Sequence, residues 1–438
     1  MNTDIPLYPV AGTRDFYPDA MALRNWLFSK WIYVAELYGY KQYDAPILEH
    51  TVLYTRKGGD DITNEMYAFK DRRDIDVCLR PEMTPSCVRM VINTIKKLSL
   101  PIRWFSTPQC WRYETTTRGR KREHYQWNVD NFGGPKIKTE SEIIAMIVRF
   151  FRSVNLTSED VVIKISNRMI LQTIISSYGI DNETIIKKIF NVIDKLHKLS
   201  KDDIVLKLIN DIGLSKNIVD AIFSVMSITS INKLEQYIKS DDLIYIELKK
   251  TFELFKEYGI ADWVQLDLSI VRGLSYYTGI VFEAFFKHTT IQRSICGGGR
   301  YDNLMQKYGY PTMVPAVGFG LGDVVIMEGL KELQKLPHLS TFVEYCIVPY
   351  NKELYGTAVH IGERIIDKGK KINIYMSDKI KLRTAFRYAD MIGASYVILI
   401  APKEIANNEI VIKDLRHIEK NSKEQTVMSI DKFITSLL

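Results

Sequence analysis

The sequence feature that most constrains the fold is a pair of alternating, aromatic-rich stretches, RWFSTPQCWRYE and HYQWNVDNF, around a basic segment. Alternation with period two predicts β-strands, so we expect an antiparallel hairpin with a basic tip. Period two also places Arg112 with Glu114 on one face, and Gln126, Asn128 and Asp130 on one face. Such polar faces occur both as the solvated side of a sheet and as the lining of a site, and the local pattern fits both.

Length and composition predict an ordinary globular protein of roughly three domains, because 46% of the 438 residues are hydrophobic and 25% are charged. No apolar leader or membrane-length apolar run occurs, so we expect an intracellular, cytoplasmic protein with no membrane partner. Five cysteines without a CxxC pair or a nearby histidine indicate neither disulfides nor a zinc site. The net charge of +7 allows an anionic partner such as nucleic acid.

The order of patterns along the chain indicates an α+β protein with an inserted helical segment. An amphipathic helix over 20–38 ends at Gly39, a strand is interrupted at Pro46, and a strand–turn–helix follows, with Thr84 as a possible helix cap. From 167 to 254 the pattern is helical, with repeated Ile, Leu and Lys. Strands return afterwards, a helix begins near Gly322, and alternating strands and helices from 342 onward predict a small α/β domain.

The glycine run in CGGGRYDNL does not match a phosphate loop. It lacks the GxxxxGK pattern followed by Ser or Thr, and it lacks a GxGxxG that opens a helix. We expect Gly297, Gly298 and Gly299 to let a ligand or another strand approach the backbone closely.

Four stretches, read together, resemble the histidyl-tRNA synthetases, which are class II enzymes. They are LRPEMTPS, WRYETTTRGRKREHYQWNVDNFGG, LSIVRGLSYYTGIVFE and CGGGRYDNL, in the family's order and spacing, and the strand with Pro46 resembles motif 1. The resemblance implies a class II catalytic domain, an antiparallel sheet flanked by helices, over 1–166 and 255–334. It also implies a helical insertion over 167–254, a linker over 335–341 and a C-terminal α/β anticodon-binding domain over 342–438.

By this resemblance the basic hairpin binds ATP. Attack of a carboxylate on the α-phosphorus needs charge neutralisation and positioning rather than a general base, and arginine grips phosphate oxygens in two places. The resemblance assigns Arg112 to the α-phosphate and the histidine carboxylate, Glu114 to the adenine amino group, Arg120 to the terminal phosphates and Tyr125 to stacking on adenine. Arg272 is the second catalytic arginine; its alternative is a salt bridge within the sheet.

The resemblance also implies a histidine pocket. Glu82 and Thr84 bind the α-amino group, Gln126 binds the polar backbone end, and Asp130 with Tyr277 binds the imidazole, while Tyr276 and Tyr301 form the walls. Arg112 and Arg272 complete the histidine-binding set. Asp130 stands where many members carry glutamate, and core packing is the alternative for the tyrosines.

One position departs from the family pattern. Motif 3 ends in an arginine that contacts ATP, whereas VGFGLGDVVIMEG has Val325 there, and the neighbouring Asp323 cannot replace a cation. We expect Arg118 or Arg122 from the hairpin tip to take over the contact, or ATP binding to be impaired. The alternative is that both side chains lie in water or contact tRNA phosphates.

Three functions follow from these observations. The first is a histidine–tRNA ligase that uses ATP, Mg²⁺ and L-histidine, acts on tRNA(His), forms a homodimer and has no dedicated metal-ligand residues. The second is a catalytically silent paralogue, such as the regulatory subunit of ATP phosphoribosyltransferase. The third is a plain nucleic-acid-binding protein, which would leave Glu82, Gln126 and Asp130 without a role because phosphates bind cations.

Overall fold

A computed structural model describes residues 5–56, 60–193, 199–270, 277–339, 343–377, 379–416 and 425–437. The chain divides into two compact units, Met1–Pro337 and His338–Leu438. Of the helices in the described residues, none is both long enough and apolar enough to cross a bilayer.

The first unit contains twelve strands and thirteen α-helices in its described residues. Its strands are β1 (Lys41–Gln42), β2 (Leu48–His50), β3 (Ala68–Lys70), β4 (Asp76–Leu79), β5 (Ile102–Ser106), β6 (Gln109–Trp111), β7 (Glu123–Phe132), β8 (Val161–Asn167), β9 (Val264–Leu266), β10 (Ile280–Phe286), β11 (Cys296–Arg300) and β12 (Ala316–Gly322). Its helices are α1 (Pro18–Leu37), α2 (Val52–Thr55), α3 (Asp60–Glu65), α4 (Thr84–Thr94), α5 (Lys138–Ser153), α6 (Arg168–Ser177), α7 (Glu183–Ile193), α8 (Lys201–Asn210), α9 (Lys216–Met226), α10 (Ile231–Leu234), α11 (Leu243–Glu257), α12 (Leu304–Lys307) and α13 (Asp323–Glu332).

A nine-stranded sheet is the centre of this unit. Its order is β1-β5-β7-β12-β11-β10-β8-β9, and the short β6 pairs with the outer part of β7. The interior pairs are antiparallel, as expected, whereas β1–β5 and β8–β9 at the two ends are parallel. A separate three-stranded sheet, β2-β4-β3, leads into α4. The sheet prediction is therefore confirmed with an added parallel strand at each end.

The two faces of β7 explain how the sheet separates core from site. Trp127 and Val129 on one face are fully buried in the main hydrophobic cluster, together with side chains of α1 and α5. Asn128 and Asp130 on the other face are also buried, but they bond to one another. Because successive side chains of a strand point to opposite faces, one strand contributes both to the core and to a polar site.

Helix α1 packs on the core face of this sheet. Leu27, Trp31 and Val34 are fully buried, at spacings that place them on one side of the helix. Pro18 occupies the first turn, where its missing N–H has no intrahelical partner to lose. The helix ends where Gly39 adopts φ +73°, a conformation that glycine tolerates well.

The regular elements described within residues 168–257 are all helices, α6 to α11, joined by turns. Their buried side chains, such as Ile189 and Leu248, belong to the same continuous hydrophobic cluster as those of α5 and β8. This packing buries the apolar stripe of each amphipathic helix without a separate sheet.

The second unit is a five-stranded α/β structure. Its elements are β13 (Tyr345–Pro349), α14 (Tyr355–Ile366), β14 (Ile372–Ile374), α15 (Leu382–Met391), β15 (Tyr396–Ile400), α16 (Pro402–Ala406), β16 (Glu409–Asp414), β17 (Gln425–Ser429) and α17 (Ile430–Ser436). The sheet order is β14-β13-β15-β16-β17, parallel in its first part and antiparallel in its second. The predicted alternation of strand and helix is confirmed, and β16 and β17 extend it.

Candidate active site

A ladder of polar side chains runs along the face of β7 that points away from the main hydrophobic cluster, as period two predicts. Gln126 Nε2 donates to Asn128 Oδ1 at 2.8 Å, and Asn128 Nδ2 donates to Asp130 Oδ2 at 2.5 Å. Asp130 is 0% exposed, and its carboxylate also accepts from the Tyr301 hydroxyl. A carboxylate can only accept, so Asp130 fixes the direction of both amides. The nitrogen of Gln126 is thereby held by the ladder, and the Gln126 side chain also forms a hydrogen bond with the ring of His124.

Glycines of the neighbouring strand leave room for this ladder. In the antiparallel register Gly318 lies opposite Asp130 and Gly320 opposite Asn128. A methyl group at position 318 would lie 2.6 Å from Tyr301 Oη, and one at position 320 would lie 2.6 Å from Cδ of Gln126. Any larger residue at either position would displace the ladder.

Four of the predicted histidine-binding residues lie at the buried end of the ladder. Tyr301 is buried, and its ring centroid lies 6.4 Å from that of Tyr277. Thr84 Oγ1 donates to Asp130 at 3.4 Å. The expectation that Thr84 caps a helix is wrong: Met83 holds the cap position, and the Thr84 side chain turns toward Asp130 instead. The structure therefore brings Thr84, Asp130, Tyr277 and Tyr301 together.

A turn between β4 and α4 joins the ladder to the hairpin. Arg80 is buried, and its guanidinium donates to the carbonyl oxygen of Gln109 at 2.9 Å and to Asp44 at 3.0 Å. Arg112 Nε donates to the carbonyl oxygen of Pro81 at 2.9 Å, beside the buried Glu82. These bonds fix Arg112 and the turn at Glu82. The family resemblance assigns these two residues to the carboxylate and the amino group of histidine.

The polar end of the ladder opens into a cavity of about 210 Å³. Its lining contains four cationic side chains, those of Arg112, Arg120, Lys121 and Arg293. Glu114 is the one carboxylate among the described residues that line it. The lining is completed by Gly119, His124, Gln126, Ser294, Ile295, Cys296, Gly297, Gly320, Gly322, Val324 and Val325. This excess of cations over acids favours a polyanionic ligand.

Glu114 and Arg120 are paired within the cavity. Arg120 Nε lies 2.6 Å from Glu114 Oε2, and the glutamate side chain is 7% exposed. Both residues were assigned to ATP, and both lie in the cavity with Arg112. The oxygens of a carboxylate can accept from an exocyclic amine such as that of adenine.

The structure corrects the assignment of Tyr125 to adenine stacking. Tyr125 lies on the opposite face of β7 from the cavity, where its hydroxyl accepts from Arg24 at 3.0 Å and its ring contacts Phe16 and Phe28. His124, one residue earlier, lines the cavity. Burial and the nearby Arg112 lower the pKa of His124 to about 3, so its ring is neutral. Period two, which groups residue 124 with Gln126, was sufficient to predict this.

The structure also corrects the expectation that Arg118 or Arg122 replaces the motif 3 arginine. Arg118 binds Glu328 at 2.8 Å and Glu332 at 2.9 Å on α13, outside the cavity lining. Arg122 donates to the carbonyl oxygen of Ala11 at 3.2 Å and stacks on Tyr113. Neither guanidinium lines the cavity, whereas Val325 and Arg293 do. Arg293 was missed because no motif contains it.

The third family stretch falls partly outside the described residues. Arg272 and Tyr276 belong to the undescribed residues, so their predicted roles stay predictions. Tyr277 is the first described residue after them, and Gly297 to Gly299 follow on β11. The expectation that these glycines admit a neighbouring strand is confirmed for Gly298, where a methyl group would meet the backbone of Gly318 and the ring of Phe282.

Comparison with known proteins decides the family. The family model described as Histidyl-tRNA synthetase matches residues 12–323, more than half of the chain. The chain belongs to the histidyl-tRNA synthetase family. A second model, Anticodon binding domain, matches residues 344–438. Members of the histidyl-tRNA synthetase family are aminoacyl-tRNA ligases that use ATP, histidine and tRNA as substrates.

Similar proteins cover nearly the whole chain. The Histidine–tRNA ligase, chloroplastic/mitochondrial, of Arabidopsis thaliana is 42% identical over 94% of this chain and 84% of its own length. The Histidine–tRNA ligase of Thermoplasma volcanium is 34% identical over 98% of this chain and 97% of its own. The crystal structure of histidyl-tRNA synthetase from Nostoc sp. PCC 7120 covers 99% of this chain and 100% of that chain, with a TM-score of 0.83 and 24% identity. That last likeness confirms the fold alone.

Proposed function

We propose that this chain is a histidine–tRNA ligase that works in two steps at the cavity beside β7. The carboxylate of L-histidine attacks the α-phosphorus of ATP, an oxygen–phosphorus bond forms, and pyrophosphate leaves. The 3′-hydroxyl of tRNA(His) then attacks the carbonyl carbon of histidyl-adenylate, an ester forms, and AMP leaves. The observation that carries the proposal is that four cationic side chains and Gln126, the outer end of the directed polar ladder, line one cavity.

The cations suit the activation step. The attacking carboxylate and the triphosphate are both anionic, so the reaction needs their charges neutralised and their atoms aligned. Arg112 bonds to the turn beside Glu82 and also lines the cavity, a position suited to holding the histidine carboxylate against the α-phosphate. Arg272 is assigned to the developing charge. Arg120 would hold the terminal phosphates, and Glu114 would accept from the adenine amino group. His124 takes the stacking role first given to Tyr125.

The buried end of the ladder suits recognition of imidazole. Asp130 has no exposed surface, so a bound ring that left its carboxylate poorly paired would be rejected. Gln126 lines the cavity, and its amide oxygen would accept from the α-ammonium together with Glu82 and Thr84. Tyr277 would meet the ring beside Asp130, and Tyr301 and Tyr276 would wall the pocket.

Mg²⁺ belongs to the same proposal. Among the described residues lining the cavity the only carboxylate is that of Glu114, and Arg120 already pairs with it. Because Glu114 is paired with Arg120 and assigned to adenine, the phosphate oxygens of ATP and water molecules would supply the ligands of the ion, which keeps several waters when it binds nucleotides. When bound, the ion supplies charge neutralisation at the phosphates. ATP exchange at graded Mg²⁺ concentrations tests this.

The domain assignment is part of the proposal. We assign 1–166 and 255–334 to catalysis, 167–254 to an insertion that approaches the acceptor end of tRNA, 335–341 to a linker and 342–438 to the anticodon stem. The match of 344–438 to the anticodon-binding model supports the last assignment. Deleting 342–438 should then weaken aminoacylation far more than pyrophosphate exchange, whereas equal losses would point to a folding role.

A homodimer is proposed through the segment around Pro46. β1 lies at the end of the large sheet, and Ile47, Leu48 and Val52 beyond it are exposed apolar side chains. An edge strand and exposed apolar residues favour cover by a second copy. Sedimentation at micromolar concentration should give a dimer, and a fully active monomer would contradict the proposal.

A cytoplasmic location is proposed as well. All five cysteines are free and buried, which suits a reducing compartment. The Arabidopsis thaliana relative carries the name chloroplastic/mitochondrial, so an organelle is the competing outcome of a localisation experiment.

Histidine-dependent exchange of labelled pyrophosphate into ATP tests the proposed activity. The chain should support exchange with histidine and not with the other amino acids, without tRNA. The alternative of a silent regulatory paralogue is not favoured, because the curated relatives are histidine–tRNA ligases over nearly full length. Histidine binding without any exchange would nevertheless contradict the ligase and restore that alternative.

A further inference from the structure

Position 325 leaves a gap in the cation set that the proposed reaction needs. Val325 lies in the first turn of α13 and lines the cavity, where the family pattern places an arginine. An apolar side chain there contributes nothing to a triphosphate, whose charge must still be matched in a partly dehydrated site. Beyond Arg112 and Arg120, which already have roles, the lining contains two further cations, Lys121 and Arg293.

Arg293 occupies the same region of the cavity. It lies in the connection between β10 and β11, and it lines the cavity together with Val325 and Gly119. A methyl group built on Gly119 would lie 3.1 Å from Arg293 Cδ and 3.6 Å from Val325 Cγ2. The arginine stem and the valine methyl thus pack against the same point of the hairpin tip.

The segment that carries Arg293 is held firmly on both sides. Ile291 and Ile295 flank it and are 8% and 2% exposed. The amide of Thr290 donates to Glu332 on α13 at 2.6 Å, and the Thr290 hydroxyl accepts from Arg118 at 2.8 Å. Arg118 therefore joins the hairpin tip to this segment and to α13, instead of binding the ligand.

We propose that Arg293 supplies the cation that Val325 lacks, by binding the β- and γ-phosphates of ATP from the β10–β11 connection. The inference rests on the proposed ligase activity and names a binding residue for it. A guanidinium suits this position because its planar fork can pair with two phosphate oxygens. A methyl group at position 119 would lie 3.1 Å from Arg293 Cδ, so the arginine stem would have to shift by a few tenths of an ångström.

Pyrophosphate exchange without tRNA tests the role of Arg293. Arg293→Ala should raise the Michaelis constant for ATP roughly tenfold, about 1.4 kcal/mol, and change that for histidine less than twofold. Lys287→Ala is the matched control, because Lys287 is an exposed cation in the same connection. Arg293→Lys should give an intermediate value, since it keeps the charge but not the fork.

A rescue variant and a truncated ligand separate phosphate binding from a structural role. Arg293→Ala combined with Val325→Arg should recover most of the lost ATP affinity, because the cation returns from the helix side. A non-hydrolysable histidyl-adenylate analogue has no β- or γ-phosphate, so its dissociation constant should be the same for parent and Arg293→Ala. If Arg293→Ala does not fold, Arg293→Gln, which keeps most of the stem, takes its place.

Two results would overturn the inference. One is a Michaelis constant for ATP in Arg293→Ala that equals the value for Lys287→Ala. The other is an equal loss of affinity for ATP and for the adenylate analogue, which would mean that Arg293 shapes the cavity. A parent protein without histidine-dependent exchange would contradict the ligase activity itself, so the two failures remain distinct.

Discussion

Asp130→Asn tests whether the direction of the polar ladder selects histidine. The carboxylate accepts from Asn128 at 2.5 Å, from Thr84 at 3.4 Å and from Tyr301, and it has no exposed surface. Asparagine has the same shape, but one of its two terminal atoms donates. The amides of Asn128 and Gln126 then have no fixed direction, and Gln126 would offer its nitrogen instead of its oxygen to the α-ammonium in some molecules.

The expected loss follows from the bond that Gln126 would make to the α-ammonium of histidine. A hydrogen bond to a charged group contributes about 1.5–3 kcal/mol, so the Michaelis constant for histidine should rise about 10- to 100-fold. That for ATP should change little, because the cations of the cavity are untouched. The assay is pyrophosphate exchange at varied histidine with saturating ATP.

Asp160→Asn provides the matched control. Asp160 is a carboxylate that also accepts three bonds, from the amide and hydroxyl of Thr157 and from Lys335, but it lies outside the described cavity lining. It should leave both Michaelis constants unchanged. A parent-like Michaelis constant for histidine in Asp130→Asn would show that the ladder does not orient Gln126 for the substrate.

Three further predictions concern the cavity and the two faces of β7. His124→Ala should raise the Michaelis constant for ATP through lost stacking, by a factor that corresponds to about 1–2 kcal/mol. Tyr125→Ala should leave ATP binding unchanged and lower the free energy of unfolding by about 2 kcal/mol. Kinetics and thermal melts check both variants, and the reverse pattern would return the stacking role to Tyr125. The pKa of His124 is lowered to about 3, so below the ordinary value near 6.5 the unfolded chain binds a proton that the folded chain refuses. Between pH 7 and pH 5 the free energy of unfolding of the parent should therefore fall by about 1 kcal/mol more than that of His124→Phe. This value is reduced because the His124 ring is half-buried. Equal losses in denaturant titrations would contradict the lowered pKa of His124. Gly119→Ala should raise the Michaelis constant for ATP about three- to tenfold by crowding Arg293, and no change would mean that the arginine stem moves aside freely.

Period two predicted much of the site from sequence. It placed Gln126, Asn128 and Asp130 on one face of β7, and the structure links them by direct hydrogen bonds. The same rule, applied two positions before Gln126, places His124 on this face and Tyr125 on the opposite one. The error with Tyr125 therefore arose from taking its role from the family resemblance without checking its strand face, which the sequence pattern already indicates.

Arg293 was beyond the reach of sequence reasoning. It belongs to a connection between strands, and only tertiary packing brings that connection against Gly119 and Val325. Arg118 was a natural candidate for the missing cation because it is close in sequence to Arg120. The carboxylates of Glu328 and Glu332, more than 200 residues away in the chain, draw it out of the cavity. Long-range charge pairing of this kind leaves no periodic pattern.

A crystal structure with a bound non-hydrolysable histidyl-adenylate analogue tests most directly whether this cavity is where histidine and ATP react. The imidazole should lie against Asp130 and Tyr301, the linking group should meet Arg112, and the adenine should lie between Glu114 and the His124 ring. An analogue bound elsewhere, or an adenine stacked on Tyr125, would contradict the account.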